Sequence, residues 1–230
     1  MNKVIGIEGQ VAAGKTSICK ELVKRIPNSI FLDGGSIYRA IVEAVIKSGI
    51  NLEDVIKSGA ITSANPVELM QKLKVEFKVN NGLTEIYIDG RKIEEDEIQS
   101  VENSMGVSKV TEGADNTKLF LFAKKIIDMY KQHFNIIVSS RGLAMTYPEM
   151  DCHVLISADL DKRVERRYKQ YNGKYTKDEI KKMIMIRDEM HEKTGFNTRM
   201  KNTIDVDVTD CENVKESTDK VYEAIIKKIN

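Results

Sequence analysis

The chain has 230 residues, 41% of them hydrophobic, and its 36 Lys and Arg against 35 Asp and Glu leave a formal charge of +1. So even a balance gives no electrostatic footprint for nucleic acid or an acidic membrane surface, no apolar run approaches membrane-spanning length, and no charged-then-apolar leader precedes the first strand pattern. Cys19, Cys152 and Cys211 are odd in number and form no C-x-x-C pair, which argues against a disulfide framework or a zinc site and for a reduced, cytoplasmic setting.

Val4-Ile5-Gly6-Ile7 is an apolar run of strand length. Gly9-Gln10-Val11-Ala12-Ala13-Gly14-Lys15-Thr16 follows with the spacing G-x-x-x-x-G-K-[ST], and from Ser17 apolar residues recur at helical intervals. Strand, glycine-bounded loop and helix start place backbone N–H groups and the positive helix end at one point, a site for phosphate. Residues Gly9 to Ser17 are therefore expected to bind ATP or GTP, with Lys15 on the outer phosphates and the Thr16 hydroxyl on the Mg²⁺ that bridges them.

A second strand, Ser29-Ile30-Phe31-Leu32, runs into Asp33-Gly34-Gly35-Ser36-Ile37-Tyr38-Arg39. Ligands of open parallel sheets sit beyond the carboxyl ends of strands, so Asp33, Gly34, Tyr38 and Arg39 are candidate substrate residues. Asp33 suits a Mg²⁺-bound water or the acceptor, or else the N-cap of the next helix; Arg39 suits an acceptor phosphate, or else solvent. From Leu73 to Ile93 the pattern changes to strict alternation around Asn80-Asn81-Gly82, predicting an inserted β-hairpin. Three further parallel strands are expected, at Asn135–Val138, His153–Ile156 and Ile204–Val208. The whole is an α/β chain: one three-layer domain over residues 1–230 with a five-stranded parallel sheet, an inserted hairpin and helices on both faces. After the fourth strand, Arg163, Arg166 and Arg167 fall at i, i+3 and i+4 of a helix, one face carrying three guanidinium groups. Thr176-Lys177-Asp178-Glu179 has capping-box spacing and marks the next helix start. His133, His153 and His191 are scattered and read as surface or core residues, not ligands.

In order and spacing, GQVAAGKT, LDGGSIYRA, the hairpin ending in IDGRKI, VSKV, the strand ending in SRG, ADLDKRVERR and IRDEM resemble the bacterial cytidylate kinases over nearly the whole chain. The resemblance implies a P-loop nucleoside monophosphate kinase fold and phosphoryl transfer from ATP, with Mg²⁺, to CMP or dCMP, carried out by a monomer. It implies catalytic roles for Lys15, Arg39, Arg141, Arg163 and Arg166, with Arg39 and Arg141 on the acceptor phosphate. Ser108, Lys118 and Arg187 join the substrate site, Lys118 standing where the family has arginine. It further implies an acceptor-binding region over residues 36–105 and a helical lid over residues 159–176.

Further positions depart from the family pattern. Ser140-Arg141-Gly142 stands where the family has G-R-D, so a base-reading aspartate is missing at Gly142. In the R-D-x-x-D-x-x-R helix, His191 replaces the second aspartate and Thr194 the last arginine. Another acceptor, UMP or a non-nucleotide phosphate ester, and a nucleotide-binding protein without transfer activity are the alternatives, since recognition lives in the site and not in the fold.

Overall fold

The computed structural model describes residues 1–51, 54, 66–98, 100, 103, 116–193 and 197–229. In chain order these form β1 (Val4–Gly9), α1 (Lys15–Leu22), β2 (Ser29–Asp33), α2 (Gly34–Lys47), α3 (Pro66–Lys72), β3 (Val75–Asn80), β4 (Leu83–Ile88), β5 (Arg91–Ile93), α4 (Glu95–Ile98), α5 (Asn116–Lys131), β6 (Asn135–Ser139), α6 (Leu143–Thr146), β7 (Cys152–Ser157), α7 (Leu160–Tyr171), α8 (Lys177–Lys193), β8 (Thr203–Asp207) and α9 (Val214–Ile229). All five expected core strands, β1, β2, β6, β7 and β8, are present, and strands alternate with helices in the α/β order that the sequence predicts. Two compact units divide the chain, residues 1–2 with 28–136 and residues 3–27 with 137–230.

In the second unit β1 pairs in parallel with β7, and β7 in parallel with β8. All six residues of β1 are buried. Its apolar run Val4 to Ile7 is what a strand covered on both faces requires, and each fully buried Val or Ile contributes roughly 1.5–3 kcal/mol. α9 packs on α1 and on β7 and β8, burying Val221 and Ile225. α7 and α8 pair with each other and close over Val11 through Val164, Ile180 and Ile184.

The first unit holds β2 and the insertion. β3 and β4 are antiparallel about Asn81 and Gly82, whose φ values of 50° and 77° are those of the two-residue turn that an Asn-Gly pair favours. The insertion goes beyond the expected hairpin: Asp89 (φ 51°) and Gly90 (φ 77°) make a second tight turn, and β5 returns antiparallel to β4 as a third strand. The start of β4 lies parallel to β2, with the Phe31 amide donating to Gly82 O at 2.8 Å and Thr84 Oγ1 to Phe31 O at 2.9 Å. Strand β3 starts at Val75, because Leu73 closes the turn after α3 and Lys74 takes φ 52°. Among the described residues no helix is long and apolar enough to cross a membrane.

Candidate phosphate-binding active site

The loop between β1 and α1 is built by close approach. Gly9 has φ 140°, and a Cβ there would lie 2.0 Å from Ile156 O of β7; the Gln10 amide donates to that same carbonyl at 3.1 Å. Only glycine fits both the space and the conformation. Ala12 takes φ 62°, a left-handed conformation that costs an alanine about 1 kcal/mol. Gly14, φ 94°, is the N-cap of α1 and no side chain caps it, so the first amides of the helix are left for an anion.

Side chains from distant segments hold this loop in place. Asn197 Oδ1 accepts from the Gly9 amide at 3.1 Å, and Asp188 Oδ1 accepts from the Val11 amide at 3.1 Å. Gln10 Oε1 in turn accepts from the Ala158 amide at 2.9 Å. Arg163 does not project with its neighbours toward a triphosphate, as its helical spacing predicts. It is only 5% exposed; its Nε donates to Ala158 O at 2.8 Å, and its Nη1 donates to Val11 O at 3.1 Å and to Asp188 Oδ2. The two atoms that flank Val11, its N–H and its C=O, are thus held by Asp188 and Arg163. Val164 beside it turns the same stretch of α7 inward onto Val11.

A pocket of about 650 Å³ opens at this loop, within the range of small-molecule sites. Gly9, Val11 to Ser17 and Ile18 form its floor. Arg166, Arg167, Lys169 and Gln170 line it from α7, Ser140 and Arg141 from the loop after β6, Arg187 and His191 from α8, and Asn197 from the loop beyond. Glu212, Asn213, Val214 and Ser217 complete it at the start of α9, where Asn213 Oδ1 caps the Glu216 amide at 3.0 Å. Lys15 Nζ folds back to donate to Gly9 O and Gln10 O, both at 2.8 Å. Burial, then Arg141, lowers its pKa from the usual lysine value to about 8. His191 is driven the same way, to about 4, first by burial and then by Arg141, Arg187 and Lys15. It is buried, as a core residue is, and lines the pocket wall. Arg166 Nη2 donates to Val208 O at 2.7 Å and Cys211 O at 3.1 Å, while its buried Nη1 has no partner among the described residues.

The remaining candidates lie in the first unit. Asp33 is the N-cap of α2, its Oδ1 accepting from the Gly35 amide at 3.0 Å and the Ser36 amide at 3.3 Å. Gly34 begins that helix and is buried, and Tyr38 packs its ring 6.4 Å from that of Phe122, its burial raising the phenol pKa above the ordinary tyrosine value. Arg39 donates from Nη2 to Ser36 Oγ at 3.4 Å, and its buried Nε has no partner among the described residues. Lys118 falls on the first turn of α5. Ser108 and Thr194 lie outside the described residues.

A glycine-shaped loop, an uncapped helix start and a cationic wall make this a site for a phosphorylated ligand. The cytidylate kinase family pattern matches residues 5–230. The chain belongs to the cytidylate kinase family. It is 28% identical to the cytidylate kinase of Clostridioides difficile over 233 aligned positions, covering 100% of this chain and 99% of that one. It is also 28% identical to the cytidylate kinase of Caldanaerobacter subterraneus, covering 97% and 94%, and 29% identical to that of Leuconostoc mesenteroides, covering 90% of each. Gly142 is buried, has φ 69° and caps α6, its carbonyl accepting from the Thr146 amide at 2.9 Å and from Thr146 Oγ1 at 3.0 Å. Sequence reasoning missed Asp188, Asn197 and the α9 wall. Asp188 stands in the R-D motif of its helix, where sequence reasoning assigns it no role, and the α9 wall left the capping-box spacing of Asn213 and Glu216.

Proposed function

We propose that the protein transfers the γ-phosphoryl group of ATP to CMP or dCMP. The observation that carries this reading is the pocket itself: a glycine-shaped loop and uncapped helix start, faced by Lys15, Arg141, Arg166, Arg167 and Arg187, in a chain whose whole length matches cytidylate kinases. Phosphoryl transfer needs alignment and cations on the equatorial oxygens more than covalent chemistry, and guanidinium contacts of this kind are worth on the order of 10³-fold in rate.

Donor phosphates lie along the loop amides, and Lys15 Nζ exchanges its two carbonyl partners for outer phosphate oxygens. Arg166 offers its unpartnered Nη1. Mg²⁺ is a cation bound through one or two protein groups, with phosphate and water completing its shell. Thr16, which lines the pocket, would hold it, and it would neutralise charge on the donor phosphates. On the family pattern Arg39, Arg141 and Arg187 grip the acceptor, with Asp33, Gly34, Tyr38, Ser108 and Lys118 around its sugar and base. The acceptor-binding region spans residues 36–105 and the lid residues 159–176, in a cytoplasmic monomer. Within the lid Arg163 is a strut, and Arg166 and Arg167 are the phosphate-facing pair.

A coupled ADP-release assay against CMP, dCMP, UMP and AMP tests the reading. CMP and dCMP are expected to give the highest kcat/KM; a preference for AMP, or no turnover with any pyrimidine monophosphate, rejects it.

A further inference from the structure

His191 stands where a positive charge is least welcome and most useful. Its side chain is 8% exposed and lines the pocket from α8. Lys15 faces it from α1, Arg141 from the loop after β6, and Arg187 and Asp188 from its own helix. Asp188 is already committed to the Val11 amide and to Arg163, so it does little to offset the three cations. Among the described residues, the pocket's other charges are Arg166, Arg167 and Lys169 on α7 and Glu212 before α9. Among these groups alone an imidazolium is both desolvated and repelled, which is why the ring is held neutral through the physiological range, near 4.

A phosphate dianion reverses that balance. It cancels the field of Lys15, Arg141 and Arg187 at the ring and accepts the hydrogen bond that an added N–H would donate. We propose that His191 is a conditional cation of the phosphate pocket, neutral among the protein's own groups and protonated from bulk solvent when a phosphoryl group enters, so that anion binding takes up a proton. Carboxylate at this position, as in the family pattern, could not do this. The inference rests on the phosphate-pocket reading above and adds to it a pH-dependent grip belonging to this chain.

Sulfate tests it, because that ion stays dianionic from pH 4 to 8 and contributes no titration of its own. With only three histidines, NMR titration of the imidazole signals, His191 assigned by its loss in His191→Gln, follows each ring with sulfate and with chloride at equal ionic strength. The His191 midpoint is expected to rise by at least one pH unit in saturating sulfate, with His133 and His153 unmoved. If it reaches the ordinary imidazole value of about 6.5, sulfate affinity rises about tenfold from pH 7.5 to 5.5, while His191→Gln and His191→Asn stay flat within about twofold. Lys15 titrates above this window and does not confuse it. Binding of sulfate without movement of the His191 midpoint overturns the inference, as does binding of ATP but not sulfate. If neither binds, the nucleotide reading itself fails and the inference falls with it.

Discussion

The Arg163–Asp188 pair is nearly enclosed, with side chains 6% and 23% exposed. Arg163→Ala removes three hydrogen bonds, to Ala158 O, Val11 O and Asp188, and leaves the Asp188 carboxylate without its cation. Removing one partner of a buried pair costs about 3–5 kcal/mol, and the partial exposure of Asp188 places this case near 3. For a chain of this size 1 kcal/mol moves Tm by roughly 2–4 °C, so a fall of about 6–12 °C is expected in calorimetry. Arg167→Ala is the contrast. That side chain lines the pocket, donates to Gln170 Oε1 and lies over the Tyr171 ring, so its loss should leave Tm within about 2 °C and raise KM for ATP. The reasoning is refuted if Arg163→Ala keeps the wild-type Tm and loses only kcat, the behaviour of a phosphate-facing arginine.

Three further outcomes are expected. Lys15 has a pKa lowered to about 8, and a bound phosphate favours its charged form, so ATP affinity should hold below pH 8 and weaken as pH rises from 8 toward 10; a Kd unchanged to pH 9.5 by calorimetric titration contradicts this. Gly9→Ala drives a Cβ to 2.0 Å from Ile156 O at φ 140° and should cost more than about 2 kcal/mol in denaturant unfolding, whereas Gly14→Ala, whose Cβ meets nothing nearer than 3.9 Å, should cost only its backbone strain, about 1 kcal/mol. Gly142→Asp should lose about 1 kcal/mol of stability to the left-handed conformation at φ 69° and raise the CMP to UMP ratio of kcat/KM by about tenfold; an unchanged ratio places base reading elsewhere.

What could be read in advance follows the range of the interactions. The phosphate loop is a local object, complete in eight letters, because its glycines and lysine act within one turn of chain. The β3–β4 turn is equally local in Asn81-Gly82. Asp89-Gly90 carried the same signal, but the three residues of β5 are too short a run to read as a strand beside it. Strand-end placement also anticipated Asp33, whose N-cap role was one of its two readings. The errors are tertiary. Arg163 shares a helical face with Arg166 and Arg167, yet its end of that face lies under Val11 and meets Asp188, 25 positions away in sequence. Asn197 and Asp188 hold loop amides 188 and 177 positions away, and no periodicity reports such pairs. His191 looks like a helix-face residue until α1 and the loop after β6 bring Lys15 and Arg141 against it.

The central claim is that this pocket moves a phosphoryl group from ATP to a cytidine monophosphate under the control of Lys15. Incubation with γ-labelled ATP and CMP, followed by separation of the nucleotides, tests it most directly. The account predicts label in CDP, formed in step with ADP, and a loss of several orders of magnitude in Lys15→Ala while its Tm stays close to wild type. Label appearing in inorganic phosphate and not in CDP, or a folded Lys15→Ala that transfers at the wild-type rate, would contradict it.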